Sequence, residues 1–143
     1  MRNNLSIGSR IAILGRLYAK HLNERILVTG ITGSQWAIIK CLSQKDGLTQ
    51  AAICEMLSVE ASTISKTLFS MERAGWIKRV VDETDKREKK VVLTKKAKEQ
   101  FDLLAGIAGK VNAKALVGVA DDDIACLDRV LDQILDNLRG SNT

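Results

Sequence analysis

The run from Leu48 to Thr94, LTQAAICEMLSVEASTISKTLFSMERAGWIKRVVDETDKREKKVVLT, constrains the fold of this chain more than any other segment. Two short helical patterns come first and meet at a tight junction, Ser58-Val59-Glu60. Thr49 is placed to cap the earlier one. The later one begins near Ala61 or Ser62 and runs to Ala74, with Gly75 in the stop position past its end. Trp76 to Val81 and Lys89 to Leu93 are rich in β-branched residues and predict two strands. The stretch from Asp82 to Lys90, which overlaps the start of the second strand, is too charged to pack and predicts an exposed hairpin tip. Two helices followed by a hairpin leave little room for any architecture other than a small helical core with one β-wing.

Long helical patterns flank this run. Ile7, Ile11, Leu14, Tyr18, Leu22 and Ile26 recur at intervals of three and four, which predicts an amphipathic helix over 5–28. A turn over 29–34 follows, with Thr32 or Ser34 as cap for a second helix carrying Trp36, Ile39 and Leu42 on one face. Beyond the hairpin, Thr94 caps a fifth helix whose apolar row is Ala97, Phe101, Leu104, Ala108, Val111 and Ala115. Gly118 and Ala120 mark a break. Asp121 is the expected cap of a sixth helix with the seam Ile124, Leu127, Leu131, Ile134 and Leu138. Three carboxylates, Asp121 to Asp123, sit at its positive N-terminal end, which is ordinary helix electrostatics and not a metal site. A seam of that length is costly to expose unless a second chain covers it, so the termini predict a dimer. The expected organisation is a first dimerisation helix over 1–33, a central domain over 34–94 and C-terminal dimerisation helices over 95–143.

Composition sharpens this picture. The apolar fraction is 45% with only 3% aromatics, which suits helix packing on Ala, Leu, Ile and Val. The net charge is +5, weak evidence for a polyanionic partner when taken alone. Its distribution says more. Residues 60–99 hold eleven basic against seven acidic residues, and residues 100–143 hold four against seven. Positive charge therefore accompanies the central run, and the last helix is acidic. There are three cysteines, Cys41, Cys54 and Cys126, with no CxxC and a single histidine, His21. That pattern excludes a disulfide scaffold and a zinc site. The cysteines lie on or beside apolar helical faces, where they should be unreactive, and Cys54 is expected to pack at a helix crossing. No membrane span and no signal-peptide core are evident, so a cytoplasmic protein without a membrane partner is expected. No phosphate loop or Ser/His/Asp set points to an enzyme, and no cofactor is implied.

In the fourth helix Ile64, Leu68 and Met71 face inward. The opposite face offers Ser62, Thr63, Ser65, Lys66, Thr67 and Ser70. Short hydroxyls with one lysine suit close approach to phosphates and base edges in a major groove. At the hairpin tip, Asp85 stands two residues before Arg87. A carboxylate there can hold the guanidinium, so the arginine loses less entropy on entering a narrow, negative minor groove.

These residues resemble the winged helix-turn-helix of the MarR family of transcription regulators. The wing pattern D-x-R-x-x-x-V-x-L-T stands here as Asp85, Arg87, Val91, Leu93 and Thr94. The end of the recognition helix corresponds to Leu68, Glu72, Gly75, Ile77 and Arg79, and the helix order matches along nearly the whole chain. Glu83 departs from the pattern, where many members carry proline, and is expected to leave the tip more flexible. The resemblance implies a homodimer on double-stranded DNA with a pseudo-palindromic operator. The fourth helix would enter the major groove, and Arg87, steadied by Asp85, the minor groove. Members commonly repress and are released by small aromatic or phenolic effectors, and some sense oxidants through cysteine. Tyr18, His21, Arg25 and Trp36, near the junction of the first two helices, are the candidate effector residues. Rival readings keep the fold and change its use: a cysteine redox sensor, a protein-binding winged helix, or a DNA-architectural protein with little sequence preference.

Overall fold

The computed structural model describes residues 4–140. Its elements are α1 (Ile7–Ile26), a short 3-10 turn (Leu27–Thr29), α2 (Gly33–Gln44), β1 (Leu48–Thr49), α3 (Gln50–Leu57), α4 (Ala61–Arg73), β2 (Ile77–Val81), β3 (Lys89–Leu93), α5 (Lys95–Ala115) and α6 (Asp121–Leu138). The fold is mainly helical with one small antiparallel sheet, as the sequence predicts. The chain divides into two compact units, one ending at Gly109 and the other beginning at Lys110, within α5.

Local chemistry sets these boundaries. Thr32 caps α2 through a reciprocal pair: its hydroxyl accepts the Gln35 N–H and the Gln35 side chain accepts the Thr32 N–H. Gly33, the first residue of α2, lies so close to α1 that a Cβ there would stand 3.1 Å from Leu22. Its N–H donates to Asn23 Oδ1 at 2.7 Å, which fastens the two helices together. The α3–α4 junction turns on Ser58, whose φ of 51° is left-handed and whose N–H closes the last turn of α3. Helix α4 ends in a Schellman motif. Trp76 N–H reaches the Met71 carbonyl, Gly75 N–H reaches Glu72, and Gly75 itself has φ +82°. Lys96 adds a cation at this end: its Nζ donates to the Ala74 carbonyl at 2.9 Å and lies 4.3 Å from the Trp76 ring centre.

The sheet order is β1-β3-β2. Strand β1 is absent from the sequence prediction, since two residues carry no periodicity. Leu48 and Thr49 pair with Val91 and Lys90, so the approach to α3 is tied to the wing. Asp46 strengthens that tie, accepting the Leu93 N–H at 3.2 Å and lying 3.7 Å from Lys98.

The core of the first unit takes Ile26 and Ile31, Trp36, Ile39 and Leu42 of α2, Ile53 of α3, Ile64, Leu68 and Met71 of α4, Val91 and Leu93 of β3, and Ala97 and Leu104 of α5. The inward faces predicted for α2 and α4 are therefore the buried ones. Ile53 is the α3 residue fully enclosed, and Cys54 is half-buried against the same core.

Two apolar rows stay uncovered. In the N-terminal half of α1, Ile7 and Leu14 are 63% and 53% exposed. No residue of α6 is buried, and Leu138 at the end of its row is 81% exposed. One cap is corrected. Asp121 is the first residue of α6, not its cap; Ala120 holds that place and makes no side-chain bond. The three aspartates fill the first turn, where their charge opposes the positive helix end without needing cap geometry.

Candidate nucleic-acid interface

The polar face of α4 points to solvent because the helix is strongly two-sided. Ile64, Leu68 and Met71 are buried, whereas Ser62, Thr63, Ser65, Lys66 and Ser70 are exposed. Thr67 is half-buried, and its hydroxyl donates inward to the Thr63 carbonyl at 2.9 Å. Ser65 Oγ accepts a bond from Gln50 Nε2 at 2.8 Å, across the α3–α4 junction. Sequence reasoning passed over Gln50, because nothing local marks a glutamine that acts fifteen residues away. Lys66 makes no ion pair with any described residue. With Thr67 and Ser70 it borders an open groove of about 610 Å³, whose other side is formed by Asn23, Leu27 and the N-terminal turn of α2.

The wing stands on the same unit. Strands β2 and β3 run in unbroken antiparallel register from Ile77↔Leu93 to Val81↔Lys89. Glu72 of α4 and Arg79 of β2 lie 3.9 Å apart, joining the end of α4 to the wing. Two consecutive carboxylate turns build the tip. Asp82 Oδ1 accepts the Thr84 N–H and O–H at 3.0 and 2.9 Å, and its Oδ2 lies 3.6 Å from Lys90. The Thr84 backbone bond, then the Thr84 hydroxyl, hold the Asp82 carboxyl below its usual range. This turn encloses Glu83. Asp85 Oδ1 then accepts the Arg87 N–H at 3.1 Å and lies 3.4 Å from Arg87 Nε. The Arg87 side chain is 93% exposed, so the pair presents a tethered guanidinium to solvent.

The candidate effector residues differ in exposure. Trp36 is enclosed in the core with its ring centre 5.3 Å from that of Phe101. Arg25 is exposed and donates to the His21 carbonyl at 3.3 Å. Tyr18 and His21 are half-buried, and His21 Nδ1 is enclosed with no hydrogen-bond partner among the described residues.

The cysteines differ more than their sequence setting predicts. Cys41 is buried, and burial pushes its thiol pKa up. Cys54 is intermediate. Cys126 is exposed, on a helix with no buried residue. No single helix among the described residues is long and apolar enough to cross a membrane.

Comparison with known proteins matches this arrangement. Residues 31–89, the segment from the start of α2 into β3, match the model of the MarR family. The uncharacterised HTH-type transcriptional regulator YwoH of Bacillus subtilis (strain 168) is 38% identical over 108 residues, which cover 76% of this chain and 78% of YwoH. The crystal structure of transcriptional regulator PA3341 superposes with TM-score 0.83 at 28% identity, covering 93% of this chain and 98% of that one. A candidate MarR family regulator from Listeria monocytogenes, solved with a 26mer DNA, superposes with TM-score 0.90 at 20% identity, covering 96% of this chain and 91% of that one.

Proposed function

The chain belongs to the MarR family of transcription regulators, a DNA-binding family rather than a catalytic one, and from that premise we propose that it acts as a homodimeric, ligand-responsive repressor on a pseudo-palindromic operator. The observation that carries the reading is the pairing of an exposed polar face on α4 with the tethered Arg87 on the adjoining wing. Ser62, Thr63, Ser65 and Lys66 meet the major groove, with Thr67 as a methyl and backbone contact because its hydroxyl is turned inward. Arg87 enters the flanking minor groove. The Listeria protein bound to a 26mer DNA supports the same use of the fold.

A second copy covers the exposed rows of α1 and α6, so that 1–33 and 95–143 serve as dimerisation segments around the reading domain of 34–94. The dimer sets two copies of α4 about 34–36 Å apart, one turn of duplex. An effector releases the DNA only by binding a different spacing better. Support for such a molecule comes from His21. An enclosed imidazole nitrogen without a partner costs about 1–3 kcal/mol, which a phenolic hydroxyl donating to it would offset.

Salt dependence of binding to duplexes selected from genomic fragments tests the DNA reading. A dimer that neutralises several phosphates should lose on the order of a thousandfold or more in affinity between 50 and 200 mM salt. A flat response would mean that this face binds protein. Repression and effector release are tested by titrating phenols and aromatic acids into the protein–DNA complex. Release that is lost in His21→Ala supports the effector reading, and release unchanged by that substitution counts against it.

A further inference from the structure

We propose that Gln50, the first residue of α3, is a positioning residue that fixes Ser65 as a hydrogen-bond donor toward DNA and so sets base preference at one position of each half-site. The inference rests on the reading of α4 as the base-reading helix. Gln50 Nε2 lies 2.8 Å from Ser65 Oγ and 3.5 Å from the Ala61 carbonyl oxygen. A carbonyl can only accept, so the amide end that lies between these two atoms is the NH2 group. It donates to both, and the Ser65 oxygen is therefore an acceptor in this contact.

The consequence lies in where the Ser65 proton goes. A helical serine or threonine ordinarily donates back to the carbonyl four residues earlier. Thr67 does this, with its hydroxyl on the Thr63 carbonyl at 2.9 Å. For Ser65 the corresponding acceptor is Ala61. That oxygen has two lone pairs. The helix ladder from the Ser65 N–H uses one, and Gln50 takes the other. The inward route is filled, and Ser65 donates to no acceptor among the described residues. Its hydroxyl hydrogen is directed outward, and the bond accepted from Gln50 polarises the O–H into a better donor. Ser62, Thr63 and Ser70 have no such partner among the described residues and can donate or accept.

A hydroxyl normally reads either sign of base edge. Ser65 held this way calls for an acceptor: guanine N7 or O6, thymine O4, or adenine N7. Opposite the cytosine amino group its proton would be left unsatisfied in a desolvated interface. Each half-site should therefore have one position at which guanine or thymine is preferred and cytosine disfavoured.

The test uses the full-length chain and the duplex it selects from random DNA, with all four base pairs substituted at each half-site position. Wild type, Gln50→Ala, Gln50→Glu, Ser65→Ala and the Gln50→Ala/Ser65→Ala double variant are compared. Gln50→Ala and Ser65→Ala should each relax discrimination about 3- to 10-fold per half-site at the same single position, and the double variant no further than either. Gln50→Glu turns the Ser65 proton inward to a carboxylate and should remove the bias against cytosine. Relaxation by Ser65→Ala but not by Gln50→Ala overturns the positioning role. Selection of a motif in which Ser65→Ala changes no position overturns Ser65 as a reader. Failure of the wild type to select any motif overturns the DNA-reading premise itself.

Discussion

Replacing Asp85 sets two physical effects against each other, and their magnitudes decide the outcome. The Asp85 carboxylate accepts the Arg87 N–H at 3.1 Å and lies 3.4 Å from Arg87 Nε. Asp85→Ala removes an anion from the wing tip, which by charge alone tightens binding to DNA. For a phosphate roughly 10 Å away in water this is worth about 0.4 kcal/mol per wing, and less once salt screens it. The same substitution frees a guanidinium that is 93% exposed and has no other partner among the described residues. An arginine side chain carries about 2 kcal/mol of rotamer entropy. A bond at Nε fixes the torsions leading to the guanidinium, roughly half of that total, so about 1 kcal/mol per wing is lost. Over two wings the entropy cost is about 2 kcal/mol against at most about 0.8 kcal/mol of charge relief, a net weakening of roughly tenfold. Fluorescence anisotropy with a labelled operator duplex at physiological salt measures it, with thermal unfolding as the fold control. The exposed pair contributes under about 1 kcal/mol to folding, so the melting midpoint should barely move. Tighter binding by Asp85→Ala, or unchanged binding, would refute the argument that the wing arginine is pre-ordered.

Three further outcomes follow from the fold. A chain ending at Ala120 lacks the uncovered row of α6 and should sediment as monomer or aggregate; a stable dimer of that length contradicts the use of α6 as interface. Gly75→Ala meets no atom within 4 Å but must hold φ +82°, so it should destabilise the protein by about 1 kcal/mol in denaturant unfolding. Unchanged stability would remove the Schellman stop from the account. A thiol reagent on the native protein should modify Cys126 first and leave Cys41, buried with its pKa raised, until unfolding. Early modification of Cys41 would reopen it as a redox centre.

The helices and the wing were legible because each leaves a local mark. Thr49 and Thr94 cap where sequence places them, Thr32 is the one of two candidates that caps α2, and Gly75 stops α4 where it must. The Asp85–Arg87 contact was legible too, since two residues of separation fix its geometry in a turn. What escaped was non-local or too short to have a period. β1 is two residues long and exists only through β3. Asp121 has the right chemistry for a cap, yet the backbone leaves the helix one residue earlier at Ala120. Gln50 gains its contact with Ser65 only when the α3–α4 turn closes at Ser58. Trp36 shows the opposite difficulty: an aromatic near a helix junction fits a ligand wall and a core equally well in sequence, and burial against Phe101 supplies the core environment.

The central claim is that two copies of this chain read two inverted half-sites, each through α4 and the wing tip. Selection of bound duplexes from fragmented genomic DNA, followed by hydroxyl-radical footprinting of the enriched site, measures it most directly. The account predicts an inverted repeat with half-site centres one helical turn, about 10–10.5 bp, apart and outer minor-groove protection that disappears in Arg87→Ala. Enrichment without any inverted repeat, or a footprint unaltered by Arg87→Ala, would contradict it.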